Sequence, residues 1–246
     1  MDAPAHLPPP PAIADDWALF LDVDGTLLAI AGTPDAVRVP PGLVDALASL
    51  QRRLDGALAL VSGRRLAQLD ALFAPLKLPA AGLHGLERRH ADNHIDPPTP
   101  PSLLAVFHRK AELVAERFPG ALVENKDSTI ALHWRGNPDA EQALRALSEA
   151  ALPWLHDYRL QPGDGVIEIR PVGTDKGDAI AALLDEAPFA GRRAVFVGDD
   201  LTDEHGFEVV LDRGGMAVLV GDRQPSRAGH RLRDPVAVLA WLAAAA

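Results

Sequence analysis

The chain has 246 residues, enough for one large domain or for a core domain with a smaller second one. With 24 basic residues against 34 acidic ones its net charge is −10, which argues against nucleic acid or an anionic membrane as partner and leaves any phosphate ligand to be met by local cations. Cysteine is absent, so disulfides, thiolate nucleophiles and Cys-based zinc sites are excluded.

Residues 1–15 include Pro8–Pro11 and read as a disordered, polyproline-like tail. They have neither the basic n-region nor the apolar h-region of a signal peptide, and no apolar run reaches the ~18 residues of a membrane span. A cytoplasmic location is therefore expected. Residues 17–23 are an apolar run that predicts a strand buried on both faces. It delivers Asp22, Asp24, Gly25 and Thr26, and period-2 geometry would point the two carboxylates the same way. Like charges that close call for a cation or a shared proton between them.

Pro40-Pro41 precede an apolar helical face at Leu43, Val44, Leu47 and Leu50. A second buried strand over 57–61 ends at Ser62-Gly63-Arg64-Arg65, followed by a helix over about 65–74 and an apolar segment through Leu78–Ala81. Strand, helix and strand in alternation predict a parallel α/β sheet. After His84-Gly85 the pattern changes. A proline-rich joint at Pro97, Pro98, Pro100 and Pro101 leads to an amphipathic helix carrying Leu104, Phe107, Ala111, Val114 and Phe118. Two strands over 121–126 and 128–134 with a turn at Lys126-Asp127, a helix near 138–152, and strands near 157–160 and 165–170 complete a helix–hairpin–helix–hairpin block. The α/β pattern then resumes with a helix over 175–186, a strand over 194–197 ending in Gly198-Asp199-Asp200, a helix over 201–210, a strand near 216–220 and a helix over 235–245. The expected organisation is a Rossmann-like parallel-sheet core, residues 16–95 and 171–246, with an inserted α+β domain at 96–170.

Open parallel sheets bind ligands beyond the carboxyl ends of their strands. Asp22, Asp24, Ser62, Gly63, Arg64, Asp199, Asp200 and Asp203 all fall at such ends, and Lys176 opens the helix that re-enters the core. Carboxylates, a hydroxyl and one or two cations at one edge suit Mg²⁺-dependent phosphoryl transfer, because Mg²⁺ takes one or two carboxylates plus water and phosphate. Asp22 is the candidate nucleophile and Asp24 the candidate acid/base. Lys176, Ser62 and backbone N–H groups would hold the phosphoryl oxygens. No P-loop consensus is present, and the nine histidines lack zinc-ligand spacing.

Asp22-Val-Asp24-Gly-Thr, Ser62, Lys176 and Gly198-Asp199-Asp200-x-x-Asp203 resemble the four motifs of the haloacid dehalogenase superfamily of phosphatases. The resemblance implies a metal, Mg²⁺, held by Asp22, by the backbone carbonyl of Asp24 and by Asp199, with Asp200 and Asp203 in support. A narrower similarity, to bacterial trehalose-6-phosphate phosphatases, rests on Gly82-Leu-His84-Gly85-Leu-Glu87-Arg88, Glu124-x-Lys126, Ala131-Leu-His133-Trp-Arg135, Glu168-Ile-Arg170-Pro171 and Gly198-Asp-Asp-Leu-Thr-Asp-Glu204. It implies a cap domain inserted between the second and third motifs. It also implies a sugar phosphate held by Gly63, Arg64, His84 and Gly85, with Glu124, Lys126 and Glu168 of the cap on the glucose hydroxyls farthest from the phosphate. Asp164 departs from the family pattern, which commonly has lysine there. The expectation is a monomer that hydrolyses trehalose 6-phosphate through an aspartyl-phosphate. A phosphatase of another sugar phosphate, such as sucrose 6-phosphate or mannosyl-3-phosphoglycerate, or a catalytically silent sugar-phosphate-binding regulator, is the alternative.

Overall fold

A computed structural model describes residues 7–30, 37–96, 102–126, 128–155, 158–163, 165–172 and 175–246. The chain divides into two compact units, residues 1–97 with 174–246, and residues 98–173. The expected proline-rich joint, the Asp127 turn position and Asp164 lie outside the described residues, apart from Lys126.

The larger unit is built on an eight-stranded sheet. Strands β1 (Trp17–Leu21), β2 (Leu58–Val61), β3 (Ala80–Gly82), β10 (Arg193–Gly198), β11 (Met216–Val220) and β12 (His230–Leu232) run parallel in the order β12-β11-β10-β1-β2-β3. β4 (Glu87–Arg89) and β5 (Ile95–Asp96) extend it antiparallel. All five residues of β1 are buried, because helices cover both faces of a central parallel strand. Phe20 stacks on Phe189 at 5.4 Å between ring centroids, and Phe196 meets Phe207 at the same distance. Each buried Phe or Leu contributes roughly 1.5–3 kcal/mol.

Helix α1 (Leu43–Arg53) buries Leu43, Leu47 and Leu50 as expected, but Ala46 completes the i, i+3, i+4, i+7 stripe and Val44 is only half-buried at its edge. α2 (Leu66–Phe73), α5 (Lys176–Leu184) and α6 (Glu204–Asp212) each lead into a strand of the sheet, and α7 (Pro235–Ala243) follows the last strand. α5 starts on a reciprocal cap in which Asp175 Oδ1 accepts from the Asp178 N–H at 3.0 Å and Asp178 Oδ2 accepts from the Asp175 N–H at 3.2 Å. This cap fixes where Lys176 begins.

Several sequence expectations are corrected here. Strand β1 ends at Leu21, two residues early, because the Val23 carbonyl accepts from Leu27 and Leu28 and turns the chain. Strand alternation therefore does not set the position of Asp24. The segment before α6 is a 3₁₀ turn, Leu201–Asp203, since Asp200 Oδ1 caps Thr202 at 2.7 Å. The part of the expected tail that is described, residues 7–15, is not disordered. Ile13 is buried, the Pro8 carbonyl accepts from the Arg231 N–H at 3.0 Å, and the Pro11 carbonyl accepts from Trp241 Nε1 at 2.9 Å. Proline has no N–H to satisfy but keeps its carbonyl, so such a segment can lie along a domain through its acceptors.

The smaller unit has a four-stranded antiparallel sheet, order β6-β7-β9-β8, from β6 (Leu122–Asn125), β7 (Ile130–His133), β8 (Tyr158–Gly163) and β9 (Val166–Pro171). β8 runs three residues past the expected end and narrows the turn that follows it. Ile130, Leu132, Ile167 and Ile169 face α3 (Ser102–Ala115) and α4 (Glu141–Ala151) in a second hydrophobic core with Leu104, Phe107 and Leu144. Ala131 pairs with Glu124 on one side and Glu168 on the other, so the carboxylates share the opposite, polar face.

Candidate active site

Beyond the carboxyl ends of β1 and β10, two carboxylates meet one buried amine. Lys176 Nζ lies 2.7 Å from Asp22 Oδ1 and 2.7 Å from Asp203 Oδ1. Lys176 is 4 % exposed, Asp22 3 % and Asp203 0 %. The second oxygen of Asp203 accepts from the backbone N–H groups of Asp199 (2.9 Å) and Asp200 (3.0 Å). The second oxygen of Asp22 is buried and has no hydrogen-bond partner. Such an atom inside a folded protein needs a reason.

Burial pushes the Asp22 carboxyl up to about 6, with Lys176 opposing and Asp199 adding to the rise. Asp199 is pushed up to about 6 by burial and by the neighbouring Asp203 and Asp200. Burial and the Asp22 charge push Asp203 up to about 7 against the pull of Lys176. On Lys176 burial disfavours the charge, but Asp22 and Asp203 override it and hold its pKa above the ordinary lysine value. For Asp200 burial is outweighed by Lys176 and the Thr202 hydrogen bonds, and its pKa falls.

Oxygens of Asp22, Asp199 and Asp203 lie within 4.8 Å of one another. Asp203 spends both of its oxygens on Lys176 and the backbone. Asp22 and Asp199 are then the side chains left to hold a cation. An all-oxygen donor set with two carboxylates fits a hard divalent cation. Thr26 Oγ1 donates to Asp199 Oδ1 at 3.2 Å and orients it. Gly25 has φ +89, and a Cβ there would lie 2.1 Å from Asp199 Oδ2. Only glycine suits the backbone and lets Asp199 approach.

The side chain of Asp24 faces Arg64. Arg64 Nε donates to Asp24 Oδ2 and Nη2 to Oδ1, both at 2.7 Å. The Asp24 carboxylate is thus taken, which leaves its backbone carbonyl for any metal role. Ser62 is buried, and its Oγ accepts from the Arg64 N–H at 3.1 Å. Gly63 packs on His84 so closely that a Cβ would lie 2.7 Å from Nε2. His84 itself has φ +57, its N–H bonded to the Ser62 carbonyl at 2.9 Å. Gly85 follows at φ +103 against the Asp175 carbonyl. Asp22, Asp24, Ser62, Gly63, Arg64, His84, Gly85, Lys176, Asp199, Asp200 and Asp203 all belong to the larger unit.

Glu124, Lys126 and Glu168 cluster on the polar face of the smaller unit's sheet. Lys126 Nζ is 3.2 Å from Glu168 Oε1 and 3.8 Å from Glu124 Oε2. Sequence reasoning quoted His133 without assigning it, yet its Nε2 lies 3.2 Å from Glu124 Oε2. The pairing of β6 with β7 at Leu122 and His133 is the signal that would have placed it. Thr26, Glu204 and Arg223 were also missed. The first two sit inside quoted motifs, whereas Arg223 is in a loop with no pattern of its own.

Comparison with known proteins identifies the family. A family model described as trehalose-phosphatase matches residues 20–235. A probable trehalose-phosphate phosphatase of Sinorhizobium fredii (strain NBRC 101917 / NGR234) is 46 % identical, over 93 % of this chain and 89 % of the relative. The trehalose-6-phosphate phosphatase of Escherichia coli (strain K12) is 43 % identical, over 94 % of this chain and 87 % of the relative. The crystal structure of a trehalose-6-phosphate phosphatase related protein superposes with a TM-score of 0.70 at 27 % identity, covering 91 % of this chain and 94 % of that one. The matched span contains every residue from Asp22 to Asp203 described above, and the chain belongs to the trehalose-phosphatase family.

Proposed function

We propose that this chain hydrolyses trehalose 6-phosphate to trehalose and inorganic phosphate, with Asp22 as nucleophile. What supports the reading most is the state of Asp22, a buried carboxylate with one oxygen on Lys176 and the other without a partner. An oxygen kept clear of hydrogen bonds keeps its lone pairs for phosphorus. Mg²⁺, held by Asp22, Asp199 and the Asp24 carbonyl, would supply charge neutralisation to the phosphoryl oxygens.

In the first half-reaction Asp22 Oδ2 bonds to phosphorus and the bond from phosphorus to the sugar oxygen breaks. Asp24, once it leaves its ion pair with Arg64, gives its proton to that departing oxygen. In the second, Asp24 takes a proton from water as the water oxygen bonds to phosphorus, and the Asp22–phosphorus bond breaks to release phosphate. Lys176 stays beside Asp22 throughout and offsets the charge that spreads over the phosphoryl group. Arg64 fixes where the Asp24 carboxyl sits between these steps. The Glu124, Lys126 and Glu168 cluster holds hydroxyls of the distal glucose. The direct test is phosphate release over a panel of sugar phosphates with and without Mg²⁺. Trehalose 6-phosphate should be the preferred substrate and Mg²⁺ should be required. Preference for sucrose 6-phosphate or mannosyl-3-phosphoglycerate would replace the substrate, and no release from any would leave a binding protein.

Two variants probe the roles separately. Asp24→Asn should lose much less activity on an aryl phosphate than on trehalose 6-phosphate, because a good leaving group needs little protonation. Equal losses would remove Asp24 from the acid/base role. Alanine at Glu124, Lys126 or Glu168 removes a charged hydrogen bond, worth roughly 1.5–3 kcal/mol, and should lower kcat/KM for the disaccharide about tenfold to a hundredfold. A small aryl phosphate has no sugar for them to hold, so its turnover should barely change. Proportional losses on both substrates would count against the assignment.

A further inference from the structure

We propose that Arg223 and Glu204 form a clamp that positions Asp199 for metal binding, a role that none of the sequence motifs assigns. It rests on the reading that Asp22 and Asp199 hold a divalent cation.

The clamp acts on a single peptide plane. The plane between Asp199 and Asp200 exposes the Asp199 carbonyl on one side and the Asp200 N–H on the other. The N–H donates to Asp203 Oδ2 at 3.0 Å. The carbonyl accepts from Arg223 Nε at 3.3 Å. The plane is therefore pinned at both ends by groups from different parts of the chain. The preceding plane is pinned as well, because the Asp199 N–H also donates to Asp203 Oδ2, at 2.9 Å. With Thr26 Oγ1 on its carboxylate, Asp199 has its N–H, its carbonyl and its side chain all held.

Arg223 is itself fixed. Its Nη1 donates to the Pro225 carbonyl at 2.7 Å, and its Nη2 forms an ion pair with Glu204. The other oxygen of Glu204 accepts from the Arg227 N–H at 2.9 Å. Burial would raise the Glu204 carboxyl, but the Arg227 N–H and Arg223 outweigh it and lower its pKa, so it stays ionised. Side chains of Arg223 and Glu204 are 25 % and 14 % exposed, shielded enough for the pair to hold its geometry. The guanidinium fork serves Asp199, Pro225 and Glu204 from three separate nitrogens, whereas the donors of an ammonium all sit on one atom. Without it the Asp199 carbonyl loses its donor, and the 199–200 plane, held then only through the Asp200 N–H on Asp203, can rotate about that remaining bond. Such rotation swings the Asp199 carboxylate off the metal position. Groups that orient a metal ligand typically change affinity or activity by about 10–100-fold when removed.

The experiment is Mn²⁺ binding to substrate-free protein, read by electron paramagnetic resonance as loss of the free-ion signal, on wild type, Arg223→Met, Arg223→Lys and Glu204→Gln. Melting temperatures in EDTA are measured alongside. Arg223→Met should weaken Mn²⁺ binding about tenfold or more, with Arg223→Lys and Glu204→Gln between it and wild type. The Arg223→Met and Glu204→Gln effects should be less than additive in the double variant, since both act through one guanidinium. Michaelis constants for trehalose 6-phosphate at saturating Mg²⁺ should stay near the wild-type value. Wild-type Mn²⁺ affinity in Arg223→Met, or a fall in melting temperature in EDTA with no change in affinity, overturns the clamp. If Arg223→Met does not fold, unchanged affinity in Arg223→Lys and Glu204→Gln overturns it equally. A wild type that binds no Mn²⁺ overturns the metal reading itself and the clamp with it.

Discussion

Asp22→Asn should abolish phosphate release from every substrate while the protein remains folded. The amide has no anionic oxygen to form the aspartyl-phosphate, and enzymatic enhancement of phosphate-monoester hydrolysis reaches about 10²¹-fold. Little of the wild-type rate should survive removal of the nucleophile. Stability should not suffer, for a reason the site makes explicit. The folded carboxyl is pushed up to about 6, above its ordinary value of 3.8, chiefly by burial. A raised carboxyl contributes stability at low pH that is lost as pH rises through the folded value. At pH 8 in EDTA the wild type therefore carries an ionised Asp22 at a cost, partly met by Lys176, and the amide avoids it. The variant should melt no lower than wild type at pH 8 without metal. Its advantage should shrink toward pH 5, where the native carboxyl is neutral. Turnover close to wild type in preparations free of host phosphatase would remove Asp22 from the nucleophile role.

The parts of the fold that were legible in the sequence are those whose burial leaves no choice of residue. β1, β2 and β11, and β10 beyond its exposed Arg193, are uninterrupted apolar runs because both faces of a central parallel strand are covered. β4, β5 and β12 were not legible. They are two or three residues long, and β4 reads Glu-Arg-Arg while β12 reads His-Arg-Leu. A short strand of that kind exists through its ladder to its neighbours, which no local pattern announces. The acids of the site could be read because each follows a strand. Their partners could not. Arg64 is spent on Asp24, a contact between residues 40 apart in sequence, and Arg223 reaches Asp199 across 24 residues. Residue types at strand ends signal chemistry, but the hydrogen bonds that orient them depend on loop paths.

The largest stability effect should come from Lys176→Met. The methionine is close in size and fits a buried slot, but it leaves Asp22 and Asp203 without the cation between them. Breaking a buried charge pair by removing one partner costs about 3–5 kcal/mol, because the remaining charge is uncompensated. Denaturant unfolding at pH 8 in EDTA should show a loss of that size. The sign of its pH dependence is fixed by the carboxylates. Burial already holds Asp22 and Asp203 above the ordinary range, to about 6 and about 7, and without Lys176 nothing on the amine side opposes the rise. Lowering the pH through that region neutralises both groups, so the deficit of the variant should be smaller at pH 5 than at pH 8. Adding Asp203→Asn should recover part of the loss at pH 8. Its carbonyl oxygen can keep the bonds from the Asp199 and Asp200 N–H groups while one buried charge disappears. Turnover should stay lost in both variants, since neither restores a cation beside Asp22. A single variant as stable as wild type at pH 8 would mean that Lys176 is not what compensates the buried carboxylates. A deficit that grows as the pH falls would mean that the groups left behind are not acids with raised pKa values.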